Sequence, residues 1–181
     1  MLPCIPVEPT ANQYATSDDF CRMFRKELDR LYGLLFLLIK DHTKAERCFV
    51  AGLEDCMTAK HVFKEFAHSW ARRVLVQQAI RELQPRPGQQ RKKEAVDPQW
   101  HTALDGVLSL ETFDRFVLVL SVLERYSQHE CSLLLSYPPR DIRNARLRAL
   151  QQLANECGCR LHSGLAERRQ LFHENPSVPQ S

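Results

Sequence analysis

An all-α fold, built as two small helical modules joined by a flexible linker and with a helix-turn-helix in the second, is predicted by three observations. Apolar residues recur at spacings of three and four through both halves of the 181-residue chain, as they do in helices that bury one face. Between the halves the composition changes abruptly at Gln84–Val96, QPRPGQQRKKEAV, which holds two prolines, a glycine and a basic run. Finally, Leu123–Leu153, LERYSQHECSLLLSYPPRDIRNARLRALQQL, reads as a capped helix, a Pro-Pro turn and a second helix with one basic face. No stretch shows the alternation of a β-strand, and no internal repeat is present.

Residues 1–16 contain three prolines and no periodic pattern, and are expected to form a loose leader. The first module is expected over 17–83. Ser17, with Asp18 and Asp19, is the expected cap of a helix from Phe20 to Ile39 whose stripe is Phe24, Leu28, Leu31, Leu35 and Leu38. Asp41-His42 breaks it. A second helix from Thr43 to Met57 carries Ala45, Cys48, Phe49 and Leu53 as its buried stripe. A third runs from about His61 to Leu83 without glycine or proline. Its apolar positions include Val62, Phe63, Phe66, Trp70, Val74 and Ile80, and Arg72-Arg73 project from its middle.

A basic, Pro/Gln-rich linker over 84–103 follows, because prolines and polar residues without apolar periodicity cannot pack. The second module is expected over 104–160, with a tail at 161–181. Ser109 is the expected cap of a helix over Leu110–Arg125, with Phe113, Phe116, Val117, Leu120 and Leu123 as its stripe. Ser127 and Glu130 have the spacing of a capping box, and Tyr126 and Cys131 fall at the staple positions beside it. Ser136, Tyr137 and Pro138-Pro139 make the turn. Proline costs little at a first helical position, whose amide has no partner within the helix.

Counting about 100° per residue along Arg140–Leu153 separates two faces. Ile142, Ala145, Ala149 and Leu153 form one, suited to pack on the preceding helix. Arg140, Arg143, Asn144, Arg148 and Gln151 form the other, with Arg146 at the border. Arginine forks to guanine, and asparagine or glutamine to adenine, so this face carries the side chains of a DNA-reading helix. A solvated arginine face is the plainer alternative. Gly158, in the turn Cys157-Gly158-Cys159, is the expected end of the helix.

The formal net charge is only +3, so nucleic-acid binding would rest on local patches rather than a global field. Seven cysteines, an odd number, sit mostly at apolar positions and read as small core hydrophobes of a reducing cytoplasm. No secretory signal or membrane-spanning run is visible. An enzyme is not indicated, because the six glycines form no phosphate loop and the histidines no H-E-x-x-H pattern. No cofactor is expected. Cys157, Cys159 and His162 would need a fourth ligand, such as Cys131 or His129, to hold a metal, and their spacing is tighter than that of structural zinc sites. No metal site is assigned.

In module order and in these residues the chain resembles the extracytoplasmic-function class of bacterial RNA polymerase sigma factors, with a degenerate region two. Leu135–Leu153 is similar, without a gap, to the end of region four in that family. Arg143 and Arg148-Ala149 fall on its basic positions and Glu130 on its acidic helix position. Leu110–Arg125, including Arg115, resembles the helix that precedes it. Leu31–Met57, with Asp41 and Ala45-Glu46, resembles the paired helices of region two. Phe63, Phe66, Ala71 and Arg72 fall on the family's F-x-x-W and A-R pattern, Phe66 standing for the tryptophan; Trp70 replaces an aliphatic residue and Arg73 an asparagine. The resemblance covers about residues 20–83 and 104–153.

The resemblance implies a cytoplasmic protein that does no bond-making chemistry and binds promoter DNA and core RNA polymerase, with an anti-sigma factor as a further partner and no membrane. Arg140, Arg143 and Asn144 would meet base edges, and Arg146 and Arg148 phosphates. Phe66 and Trp70 would stack unpaired bases, while Arg72 and Arg73 bind the backbone of the opened strand. For Phe66 and Trp70, burial in the core is the competing expectation. Asp41, Glu46, Arg47 and Val50 would lie at the polymerase contact. There the chain departs from the family, since Arg47 stands for a carboxylate and Val50-Ala51 for a glutamine–acid pair. The alternative is therefore a sigma-derived DNA-binding regulator or interaction protein that does not bind core polymerase.

Overall fold

The structure, a computed structural model, describes residues 13–88 and 103–171, with the side chains of the final helix described as far as Asn155. The described residues are all-helical apart from turns and one isolated bridge. They fall in two compact units, Met1–Arg86 and Pro87–Ser181. Most of the expected linker, the start of the leader and the end of the tail lie outside the described residues.

The first unit holds α1 (Ser17–Lys26), α2 (Leu28–Ile39), α3 (His42–Thr58), a 3₁₀ turn (Lys64–Phe66) and α4 (Ala67–Leu83). Thr16, not Ser17, caps α1, in a reciprocal box with Asp19: the Thr16 hydroxyl accepts from the Asp19 amide and the Asp19 carboxylate accepts from the Thr16 amide. The helix expected to run unbroken from Phe20 to Ile39 is interrupted at Glu27, whose backbone leaves the helical region at φ −114°, ψ 23°. That residue has a long-range partner, for its carboxylate lies 2.5 Å from Nε2 of His68 on α4. Asp41 caps α3 by accepting from the Lys44 amide at 3.0 Å.

Phe20, Phe24, Leu31, Leu35, Leu38, Ala45, Cys48, Ala71, Leu75 and Ala79 are all buried in this unit. Its helices α1, α2 and α4 all pack on α3. At Gly52 the approach of α3 to α4 is so close that a Cβ would stand 2.5 Å from Cδ2 of Leu75. A side chain there would force the end of the Leu75 side chain to shift.

The third helix also starts later than its sequence pattern suggests. His61 is in the left-handed region at φ 62°, where a helix cannot begin. The Ala15 amide donates to the Val62 carbonyl at 2.7 Å, and Tyr14 and Phe63 form the isolated bridge. These bonds keep 62–63 extended and tie down residues 14–15, which the sequence assigned to a loose leader.

The second unit holds α5 (Ala103–Ser109), α6 (Thr112–Leu118), a π-helical turn (Val119–Leu123), α7 (Gln128–Leu135) and α8 (Pro139–Leu171). Ser109 does not cap the following helix. It ends α5, and its hydroxyl donates to the Gly106 carbonyl at 2.7 Å. The expected helix over Leu110–Arg125 is shorter, because it widens at Val119, where the Glu124 amide reaches the Val119 carbonyl at 2.9 Å. Every residue of α6 is buried, and α8 packs on α5, α6 and α7. Leu123, expected in the buried stripe, is exposed beyond the widened turn. The final helix does not stop at Gly158 but continues to Leu171. One interior glycine costs about 1 kcal/mol relative to alanine, which does not end a helix by itself.

Candidate functional site

The connection between α7 and α8 is built from local chemistry that the sequence carries. Ser127 and Glu130 form the reciprocal box at the start of α7, with the Glu130 carboxylate accepting from the Ser127 amide at 2.7 Å. Cys131 is buried one residue later, and burial pushes its thiol up to about 11. Ser136 ends α7 in the left-handed conformation. The Ser132 hydroxyl donates to the Tyr137 carbonyl, and the Tyr137 ring meets Phe113 of α6 edge-on at 5.0 Å. The Gln128 side chain donates to the Pro139 carbonyl at 2.8 Å, joining the first turns of the two helices.

This clamped turn presents α8 with the two faces that its sequence pattern separates. Ile142, Ala145 and Ala149 are fully buried, and Leu153 packs beside Leu110, Leu118 and Ala149. Arg140, Arg143, Asn144, Arg146 and Gln151 are exposed. None of Arg140, Arg143 and Arg146 is drawn into an ion pair among the described residues. Arg148 behaves differently. Its guanidinium forks onto Asp114 of α6, with Nε to Oδ2 at 3.0 Å and Nη2 to Oδ1 at 2.6 Å. Asp114 is only 6% exposed, so Arg148 neutralises a carboxylate inside the unit. Gln152 ties α8 to the end of α5 by donating to the Ser109 hydroxyl at 3.3 Å.

On the first unit, Phe66 and Trp70 are surface residues, 57% and 43% exposed. The expectation that aromatics at helical spacing are buried does not hold there, because Phe66 ends the 3₁₀ turn and Trp70 lies on the first turn of α4. Phe66 belongs to a run of neighbouring rings that sequence reasoning missed. Phe63 meets Phe66 at 6.5 Å, Tyr14 meets Phe63 at 5.0 Å, and Tyr14 meets His61 at 5.3 Å. No local signal marks Tyr14 for this place; the backbone pairing to residues 62–63 brings it there. Arg73 is exposed on α4. Arg72 is half-buried and lies close enough to Glu27 to help hold its carboxyl below the usual range, after the larger effect of the His68 hydrogen bond.

The four residues expected at a polymerase contact divide by geometry. Glu46 and Val50 line a groove of about 320 Å³ between α2 and α3, together with Leu28, Asp29, Tyr32 and Phe49. Val50 is 54% exposed, and Asp29 and Glu46 make the rim acidic. Asp41 is occupied as the cap of α3. Arg47 points away from the groove and pairs with Glu82 of α4 at 3.3 Å, beside Lys44 at 3.4 Å from the same carboxylate.

Among the cysteines whose side chains are described, Cys48, Cys56 and Cys131 are buried and Cys21 is half-buried. Among the described residues no group of three or more His, Cys, Asp or Glu side chains is placed to hold a metal ion. The side chains of Cys157, Cys159 and His162 lie outside the described residues. Among the described residues no helix is long and apolar enough to cross a membrane. No protein-family model matches the sequence, and no curated protein matches it.

Proposed function

We propose that this chain is a sigma-factor-like promoter DNA-binding protein that directs RNA polymerase to transcription initiation in a bacterial cytoplasm. The observation that carries the reading is the division of roles among the arginines of α8. Arg148 is spent on the buried Asp114, whereas Arg140, Arg143 and Arg146 stay solvent-exposed and make no ion pair among the described residues, with Asn144 exposed beside them. The groups left exposed are of the types that fork to base edges or hold phosphates.

In this reading the first turns of α8 enter the major groove. Arg140 and Arg143 fork to guanine, Asn144 to adenine, and Arg146 holds a phosphate. The first unit meets DNA that is opening. Phe66 and Trp70, exposed as such a role requires, stack on unpaired bases while Arg73 tracks the backbone. Arg72, close to Glu27, is the weaker candidate of the arginine pair. The protein makes and breaks no covalent bond; its effect is to position polymerase on a promoter.

The acidic-rimmed groove between α2 and α3 suits a basic helical segment of a large partner, and core polymerase is the partner proposed. Arg47 is no obstacle to that contact, since its charge is engaged by Glu82 outside the groove. Val50 favours the second reading, a DNA-binding regulator without polymerase, because an apolar side chain there cannot make the hydrogen bonds of the family's polar pair. Retention of core RNA polymerase on the immobilised protein, beside a conventional sigma factor, discriminates the two. Retention supports the initiation factor. Loss of retention with salt-sensitive duplex binding intact supports the regulator.

A further inference from the structure

Two leucines of α8 stay exposed near its basic residues, Leu147 and Leu150; Leu150 lies on the Arg146 side of Arg143, at the edge of the basic face, and Leu147 inside that face. Leu147 is 52% exposed. It follows Arg143 by four residues and Asn144 by three, so it stands one turn further along the same face. At about 100° per residue it falls between the directions of Arg140 and Arg143, in the middle of the basic face rather than at its edge. The distance along the axis from Arg140 to Leu147 is about 10 Å, within the roughly 12 Å width of a B-DNA major groove.

An exposed leucine is ordinary on a protein surface and signifies nothing by itself. Its setting distinguishes this one. Arg140, Arg143, Asn144 and Gln151 surround it and are all exposed, and each is of a type that binds base edges or phosphates. A partner that satisfies those groups must offer an apolar spot among acceptors and negative charge. In the major groove that spot is the C5 methyl of thymine, the single apolar group on any base edge there.

We infer that Leu147 reads a thymine methyl and so sets sequence preference at the far end of the contacted step. The inference rests on the reading of α8 as a major-groove helix. Burying one methyl-sized group between Leu147 and the base would tighten binding about fourfold.

The test uses the full-length protein and a duplex that it recovers from a random-sequence pool. Each thymine of that duplex is replaced in turn by deoxyuridine, which removes the methyl and nothing else. The wild type should bind about fourfold more weakly when one particular thymine is changed. Leu147→Ala, which keeps a helix-favouring residue at an exposed site, should bind the parent duplex more weakly and be indifferent to that methyl. The inference is overturned if the wild type is indifferent to every methyl, if the recovered duplex holds no thymine, or if Leu147→Ala keeps the wild-type sensitivity. Failure of the underlying reading looks different: no duplex is recovered, or Arg143→Ala binds the parent duplex as tightly as the wild type, and either result removes the reading and the inference together.

Discussion

Arg148 holds Asp114 by two parallel hydrogen bonds, at 3.0 and 2.6 Å, across the seam between α6 and α8. The carboxylate is almost wholly buried while the guanidinium remains half-exposed. The pair therefore fixes the orientation of α8 on its unit, and with it the direction in which Arg140, Arg143 and Asn144 face.

Arg148→Ala should destabilise the second unit by about 2 kcal/mol, because it leaves a buried carboxylate without its counter-charge. The value lies below that for a fully buried pair, since solvent already screens the arginine. Chemical denaturation of wild type, Arg148→Ala and the double variant Asp114→Asn/Arg148→Ala measures it. The double variant should recover part of the loss.

Binding measurements should separate α8's arginines by role. Arg143→Ala should weaken binding to a preferred duplex by about 1–3 kcal/mol and relax the preference at one position. Arg146→Ala should weaken all duplexes alike and lower the slope of log affinity against log salt by about 1. Arg148→Ala, measured where it remains folded, should leave that slope unchanged. Salt titrations of the three variants on specific and random duplexes check all three expectations.

Much of this second unit is legible in the sequence because its signals are local. The Ser127–Glu130 box, the proline at the first position of α8 and the Ile142, Ala145, Ala149 stripe need no knowledge of the rest of the chain. The Asp114 pair was not legible, since its members lie 34 residues apart and Arg148 shares its pattern with the exposed arginines of the same helix. Glu27 is a similar case: its partner His68 is 41 residues away, and nothing nearby marks a helix break. For Phe66 and Trp70 burial stays open as the competing expectation, because spacing alone cannot tell a buried aromatic from one beside a 3₁₀ turn. The displacement of the first cap by one residue follows from two adjacent hydroxyl residues, Thr16 and Ser17, either of which can cap.

Glu27 gives the first unit a dependence on acid. The hydrogen bond from His68 holds its carboxyl below the ordinary value of 4.5, against the opposing effect of burial. A carboxyl lowered in the folded state contributes stability that is present above 4.5 and lost as pH falls from there through the folded value. Glu27→Gln should therefore lose less stability than wild type over that acidic window, while being the less stable protein near neutrality. Urea midpoints compared on either side of the window show the difference.

At the groove, Val50→Lys should abolish retention of core polymerase, because it sets a positive charge against a basic segment, while changing stability by no more than about 0.5 kcal/mol, as befits an exposed position. Arg47→Ala should leave retention intact, because Arg47 is engaged by Glu82 outside the groove. Pull-downs of both variants, with thermal melts alongside, check the pair.

The most direct measurement is transcription by core RNA polymerase supplemented with this protein on promoter-length genomic fragments from its host, with the transcripts sequenced. Discrete start sites that depend on the protein and vanish with the combined Arg140→Ala/Arg143→Ala variant are the expected result. If a conventional sigma factor yields transcripts under the same conditions and this protein yields none, it is not an initiation factor.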